Sequence, residues 1–154
     1  MQTANLLKYL FEESYAAILD AIGHVSHQES VRPGPLDGGS IHWIAGHVVV
    51  ARCNFMTILG VPSIWDMPTC RLFIPGSTST PESIHAIGFE DILQGLGKTQ
   101  NQLLDVLDRM SEADLGHVKD GKAIWEHVAE YASHEALHAG QLSMVGRLGD
   151  PDAS

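Results

Sequence analysis

Four stretches of the chain repeat apolar residues at intervals of three and four, the spacing that places side chains on one face of an α-helix. We expect helices over four segments: Thr3 to Ile22, Ser40 to Leu59, Glu90 to Met110 and Lys122 to Leu148. The sequence shows no internal repeat, no low-complexity tract and no alternating strand pattern longer than a few residues. It therefore predicts an all-α protein built as a four-helix bundle.

Residues that favour helix ends support these boundaries. Ser40 is a good N-cap for the second helix, and Gly60 closes that helix. Gly149 and Pro151 form a stop signal after the fourth helix. The segment from Gly60 to Pro81 is long and rich in proline, which suits a connection between distant helix ends. We therefore expect one long crossover between helices 2 and 3.

Length and composition favour one domain of ordinary size. The chain has 154 residues, of which 44% are hydrophobic, enough to bury a core without disulfides or a structural metal. We therefore expect residues 1–154 to form a single domain. The first residues lack the basic start, uninterrupted apolar run and cleavage site of a secretory leader, and no stretch is apolar enough to span a bilayer. Two cysteines without a CxxC pair suit a reducing compartment, so a cytoplasmic location is predicted.

The charge balance excludes two classes of partner. Nine lysines and arginines against 19 acidic residues give a formal net charge of −10. Binding to duplex nucleic acid needs clustered cations that replace phosphate counterions, and the sequence contains no such cluster. An anionic membrane surface would need the same kind of basic patch. We therefore expect neither nucleic acid nor membrane among the partners.

Nine histidines in 154 residues are the most unusual feature of the composition. His134 and His138 lie four residues apart near the middle of the fourth helix, so they share one face, one turn from each other. His47 lies within an apolar stripe of the second helix, where a buried imidazole needs a partner. Imidazoles that converge from two helices can bind a divalent cation, with zinc, nickel and iron as candidates. The spacing therefore predicts a metal site at His47, His134 and His138.

Further polar residues on the predicted core faces indicate a polar cavity, because burying them without partners would be costly. Four side chains on the fourth helix are candidates for an outer shell around the metal: His127, Tyr131, Glu135 and Gln141. His42 lies well round the second helix from His47, and we expect it to be partly exposed. The remaining histidines lie in predicted loops or termini, where a solvated side chain is expected: His24, His27, His85 and His117.

The segment from His134 to His138 also satisfies HExxH, in which the glutamate is the general base of a zinc protease. Glu135 is therefore a candidate catalytic residue, although the helical wheel turns it toward the flank of the histidine face, where we favour a solvated side chain. Such proteases take a third ligand downstream, and no histidine follows His138. No strand pattern precedes the motif to hold an extended peptide. A protease is therefore the less favoured hypothesis.

The segments IHWIAGHVVVAR and HVAEYASHEALHAGQLSMVGRLG together resemble the DinB/YfiT-like family of small metal-binding four-helix bundles. The likeness extends over nearly the whole chain, and HxxxHxGQ followed by an apolar turn and a terminal LG is its most specific part. His47, His134 and His138 match the three metal ligands of the family one by one. The resemblance implies a metal-dependent transferase or hydrolase, in several members with a low-molecular-weight thiol such as mycothiol or bacillithiol as co-substrate. It also implies a possible homodimer formed through the helices.

Three hypotheses for the function follow from the sequence. In the first, a divalent transition metal, zinc or nickel with iron as a further candidate, activates water or a thiol against a small-molecule substrate. In the second, the site is structural or sensory, as in a non-catalytic metal-binding or stress-response protein. In the third, the histidines form only a buried polar network. Arg52 lies beside the predicted site stripe, and Cys53 faces away from His47, as expected for a packed side chain.

Overall fold

The computed structural model describes residues 2–34, 39–77 and 81–148. Within these ranges, four long helices form a bundle that shorter helices and one small hairpin connect. The elements in chain order are α1 (Thr3–Ile22), α2 (His27–Ser30), α3 (Ile41–Ile58), α4 (Met67–Arg71), α5 (Pro81–Ala86), α6 (Phe89–Arg109), α7 (Glu112–Gly116), β1 (Val118–Lys119), β2 (Lys122–Ala123) and α8 (Ile124–Leu148). No helix in these ranges has both the length and the apolar character needed to cross a membrane. The prediction of an all-α four-helix bundle is confirmed.

The second predicted helix begins where its cap places it. Ser40 is the N-cap of α3, and its side-chain oxygen accepts a hydrogen bond from the Trp43 backbone N–H at 3.1 Å. That N–H is one of the donors that a helix start leaves without a partner in the helix. The stop predicted at Gly149 and Pro151 lies outside the described residues.

A short hairpin precedes α8, where the sequence predicts a turn region that leads directly into the helix. The two strands pair antiparallel, with Lys119 opposite Lys122. Asp120 and Gly121 between them both have positive φ, 51° and 82°, as a type I′ turn requires, and Asp-Gly is a favoured pair for that turn. The helix therefore begins at Ile124, later than predicted.

The directions of the long helices explain the crossover. α1 and α8 run parallel to each other and antiparallel to α3 and α6, as the residues paired along each interface show. α1 packs against α6 and α8, and α3 packs against the same two helices. Because α3 and α6 point the same way, the chain must travel back along the bundle between them. The segment that includes α4 and α5 covers this distance, which confirms the predicted crossover between the second and third long helices.

The buried side chains form two apolar clusters with polar residues between them. One cluster includes Ile44 and Phe73, and it also contains Cys53, packed as predicted at 1% exposure. The other includes Phe11 and Phe55. A layer of buried polar residues, here called the polar layer, lies where one cluster gives way to the other: Ser14 of α1, Arg52 of α3, Thr99 and Gln100 of α6, and Glu135 of α8.

Candidate metal centre

Three imidazoles from α3 and α8 converge beside the polar layer. The Nε2 atom of His134 lies 3.3 Å from Nε2 of His47 and 3.0 Å from Nε2 of His138. One nitrogen from each ring lies within 4.8 Å of the others, close enough for all three to hold one metal ion. His47 is buried, and His134 and His138 are partly exposed. The structure thus brings together the three histidines that the sequence predicts as ligands.

The outer nitrogens of two of these rings are held by protein acceptors. Nδ1 of His47 lies 2.7 Å from the backbone oxygen of Phe73, which can only accept, so this Nδ1 carries the hydrogen and Nε2 keeps its lone pair. Nδ1 of His138 lies 2.7 Å from Oε1 of Gln141 and donates to it. Metal-bound histidines commonly donate their second N–H to such an oxygen. Gln141 therefore stands where an outer-shell residue is predicted.

Three ring nitrogens at these distances cannot satisfy one another. Because His47 and His138 each carry their hydrogen on Nδ1, their Nε2 atoms can only accept. Nε2 of His134 can donate to one of them at most, so among the three rings one lone pair is left without a donor. A divalent cation would accept all three lone pairs and remove this conflict. The donor set therefore fits a transition-metal ion.

The electrostatic surroundings keep His134 and His138 in the form that binds metal. Burial lowers the pKa of His134, and the neighbouring His138 and His47 lower it further. Burial also lowers the pKa of His138. Both rings are therefore neutral at neutral pH, and a neutral imidazole is the form that ligates a metal.

Comparison with known proteins supplies the family. The sequence profile of the DinB superfamily matches residues 10–142, a span that contains all three histidines. The chain belongs to the DinB superfamily. No protein of curated function matches it significantly. The resemblance read from the histidine motifs is thus confirmed, and membership of the DinB superfamily together with the three-histidine cluster is compatible with metal binding.

The crossover of this DinB-superfamily bundle holds His47 in place. Trp43 stacks on the His47 ring, with the ring centroids 5.1 Å apart and the planes 5° from parallel. The Trp43 indole N–H donates to the hydroxyl of Ser77 at 3.0 Å. Phe73, whose carbonyl accepts from His47, seats its side chain directly over Gly46. The crossover therefore sets both the ring plane and the tautomer of a candidate ligand.

We predict that Gly46→Ala weakens metal binding by about tenfold, the size of effect that loss of an outer-shell partner has. A methyl group at this position would overlap the Phe73 ring, so the Phe73 carbonyl would move away from His47. Competition with a chromophoric chelator measures the affinity. Gly140→Ala on α8 is the matched control, because its methyl group would meet open space. An unchanged affinity in Gly46→Ala would contradict this role of the crossover.

A cavity of about 300 Å³ opens beside the histidines. His47 and His134 form part of its wall, so a molecule inside it would reach a metal bound between them. The lining combines apolar and polar side chains: His47, Val50, Ala51, Asn54, Ile74, Pro75, Glu130, Tyr131 and His134. This volume suits a small-molecule ligand. The sequence predicts a polar cavity here; a cavity is present and Tyr131 and His134 line it, but apolar surface predominates in its lining.

Tyr131 is the predicted outer-shell residue that lines this cavity. Its ring stacks on Phe55, with centroids 4.7 Å apart, and lies 6.5 Å from the His134 ring. Burial raises the pKa of the Tyr131 phenol, and the nearby Glu130 carboxylate raises it further. The phenol is therefore protonated at neutral pH and can donate a hydrogen bond to a molecule in the cavity.

The sequence makes His127 a candidate for the outer shell of the metal site, but the structure gives it another role. It is buried, and its Nε2 lies 2.8 Å from the backbone oxygen of Lys119 in β1. It does not line the cavity described above. His127 therefore anchors the hairpin to α8.

The expectation that Glu135 is solvated is wrong. Glu135 is 3% exposed and forms a two-pronged ion pair with Arg52, which is 2% exposed, while Ser14 also donates to its carboxylate. Both carboxylate oxygens are thus occupied, which argues against the general base of an HExxH protease. Sequence reasoning missed Arg52 as its partner. The sequence does place Arg52, a cation, beside the stripe that carries His47. Helical periodicity, however, does not predict which residue of another helix contacts it.

The expectation that His42 is partly exposed is also wrong. The side chain is fully buried, and Nε2 lies 2.9 Å from the backbone oxygen of Ile87. Its ring packs against those of Phe73 and His27. Short helices and the crossover cover this face of α3, and the sequence pattern of α3 alone does not predict them. Burial lowers the pKa of His42.

His42 therefore gives the metal-free protein a pH-dependent stability. The pKa of His42 in the folded protein lies below its ordinary value of about 6.5. Between the two pKa values, His42 is therefore protonated in the unfolded chain and neutral in the folded chain. Its contribution is present above about pH 6.5 and is lost as the pH falls toward the lowered folded pKa. We expect urea unfolding in EDTA at pH 7 and pH 5 to show a smaller stability loss for His42→Leu than for wild type. His85→Ala, an exposed control, should keep the wild-type difference, and an equal loss in His42→Leu would contradict the prediction.

The other histidines behave as expected from the sequence. Their side chains are exposed to solvent: His24, His27, His85 and His117. His27 also accepts a hydrogen bond from the backbone N–H of Phe89 at 3.2 Å, which ties α2 to the start of α6. These residues take no part in the histidine cluster.

Proposed function

We propose that this chain is a metal-dependent enzyme that activates a thiol or water against a small-molecule substrate, as a transferase or hydrolase. One observation carries the proposal. Three Nε2 atoms meet beside a cavity, and Phe73 and Gln141 hold two of the rings in the tautomer that ligates a metal.

The chemistry of the donor set supports an enzyme. Three neutral imidazoles leave a divalent cation its full charge and room for a further ligand. When bound, such a cation acts as a Lewis acid that lowers the pKa of a thiol or water. Zinc and nickel are the metals we expect, with iron as a further candidate. A structural site would instead be closed by a fourth protein ligand, and among the described residues the cluster has three members.

The cavity supports a small substrate that is partly apolar. Val50, Ile74 and Pro75 supply apolar surface, and the protonated Tyr131 supplies a hydrogen-bond donor near His134. Glu130, also on the wall, is paired with Lys122, and both side chains are about half exposed. The substrate therefore binds through apolar contact and through polar groups that include the Tyr131 phenol and the Asn54 amide, with its reacting end at the histidines. A low-molecular-weight thiol is the co-substrate we propose.

Metal-loaded protein tests both parts of this proposal, with cobalt as the spectroscopic probe of thiol binding. We expect addition of a small thiol such as 2-mercaptoethanol to produce a saturable sulfur-to-cobalt charge-transfer band, because a three-histidine site has an open position. We also expect the zinc- or nickel-loaded protein to accelerate the substitution of an aromatic halide by a thiol, which releases halide and a proton, or the hydrolysis of an activated ester. His134→Ala should show neither effect, and His85→Ala should show both. Absence of the band together with equal rates in loaded and metal-free wild type would overturn the enzyme proposal in favour of a closed, non-catalytic site.

A further inference from the structure

Arg52 is surrounded by acceptors from two other helices. Its Nε donates to Glu135 at 2.7 Å, and one Nη2 hydrogen donates to the second Glu135 oxygen at 2.6 Å. The other three N–H groups donate to the Leu96 carbonyl, the Thr99 hydroxyl and the Gln100 amide oxygen. All five guanidinium donors are therefore used, in one orientation of the side chain.

The polar layer also reaches α1. Ser14 donates to Glu135 at 2.7 Å, and Gln100 donates to the Phe11 carbonyl at 3.3 Å. The guanidinium carbon lies 5.5 Å from the centre of the Tyr15 ring. All four long helices are thus joined in one network with the Arg52–Glu135 pair at its centre.

The central pair joins the same two helices that carry the candidate ligands. Arg52 follows His47 on α3 by little more than one helical turn, and Glu135 directly follows His134 on α8. Rotating α8 by one residue, about 100°, would turn His134 and His138 away from His47. Apolar contacts are not directional and tolerate such shifts. A buried ion pair does not, because a shift would leave two buried charges without partners, and buried polar groups can therefore specify helix register.

We propose that Arg52 and Glu135 are positioning residues, whose two-pronged pair sets the rotation and register of α3 against α8 so that the three Nε2 atoms converge. The inference rests on the proposed metal site. In this inference the glutamate of the HExxH segment positions the helices and takes no part in the reaction. The pair acts through His47, His134 and His138, and it does not touch the metal or the substrate.

Three variants separate positioning from simple stability. Arg52→Met/Glu135→Leu removes both charges and leaves apolar groups of similar size, an exchange that often leaves stability unchanged or raises it. Arg52→Lys keeps the charge but loses the planar fork that fixes orientation. Ser14→Ala is the matched control, because it removes a hydrogen bond to the same carboxylate and leaves the link between α3 and α8 intact.

The readouts are the Ni²⁺ affinity, measured against a chromophoric chelator, and the visible spectrum of the Co²⁺-loaded protein. We expect the Ni²⁺ dissociation constant to rise by about tenfold or more in the double variant and in Arg52→Lys, with an altered Co²⁺ spectrum, and to stay within about twofold in Ser14→Ala. Circular dichroism identifies the variants that remain folded, and Arg52→Lys decides the matter if the double variant does not fold.

A folded double variant, or a folded Arg52→Lys, with wild-type Ni²⁺ affinity and an unchanged Co²⁺ spectrum would overturn the inference and leave the metal site standing. A wild-type protein that binds neither ion would instead overturn the proposed function. The two failures are therefore distinguishable in one set of titrations.

Discussion

Replacing His134 with alanine should reduce bound metal from about one equivalent per chain to a small fraction of an equivalent. His134 contributes the nitrogen that lies nearest to both others, at 3.3 Å from His47 and 3.0 Å from His138. Its loss leaves two imidazoles, one from each helix, and should weaken binding by more than the roughly 10–100-fold that loss of an outer-shell partner costs. Elemental analysis of the purified, untagged protein measures the effect.

The same analysis of two further variants completes the test. His47→Ala and His138→Ala should lose metal to a similar extent, because each removes one of three ligands. His24→Ala and His85→Ala are controls, since both side chains are exposed and lie outside the cluster. Full metal occupancy in all three cluster variants would refute the assignment of these histidines as ligands.

The second large effect concerns the folded state itself. Removing the Glu135 side chain alone, as in Glu135→Ala, should lower the free energy of unfolding by about 3–5 kcal/mol. Arg52 is 2% exposed, and without its partner a charged group would remain buried with two unpaired N–H donors. Urea denaturation at pH 7 in EDTA measures the change without a contribution from metal.

An exposed ion pair provides the comparison for this prediction. Arg109 and Asp105 lie 2.6 Å apart with side chains 70% and 65% exposed, and Asp105→Ala should leave the free energy of unfolding nearly unchanged because water screens the pair. Arg52→Met/Glu135→Leu should be more stable than Glu135→Ala, since no buried charge is left alone. A Glu135→Ala variant as stable as Asp105→Ala would show that the pair contributes nothing to the fold.

Helical periodicity predicts the four long helices because it is a local property. Apolar residues three and four apart specify one buried face, and Ser40 caps α3 through a backbone N–H three residues away. The pairing of His134 with His138 is equally local, since positions four apart on one helix always lie close. The short hairpin at Asp120 and Gly121 was also within reach, because Asp-Gly is a turn signal.

Contacts between distant segments were beyond the sequence pattern. A helical wheel assigns an angle to Glu135 but does not show that Arg52 of another helix reaches it. It likewise predicts a partly exposed His42, whereas segments outside α3 bury it. The single-domain organisation, the homodimer and the cytoplasmic location stay predictions.

The amino-acid sequence by itself determined where the four long helices lie and which histidines share a face, because both follow from the 3.6-residue period of the helix. The tertiary structure decided which nitrogen of His47 faces the site. The Phe73 carbonyl that selects the His47 tautomer lies 26 residues away along the chain, and it reaches the ring only because the crossover packs against Gly46. Periodicity specifies that a face is buried, and packing alone specifies which atoms cover it.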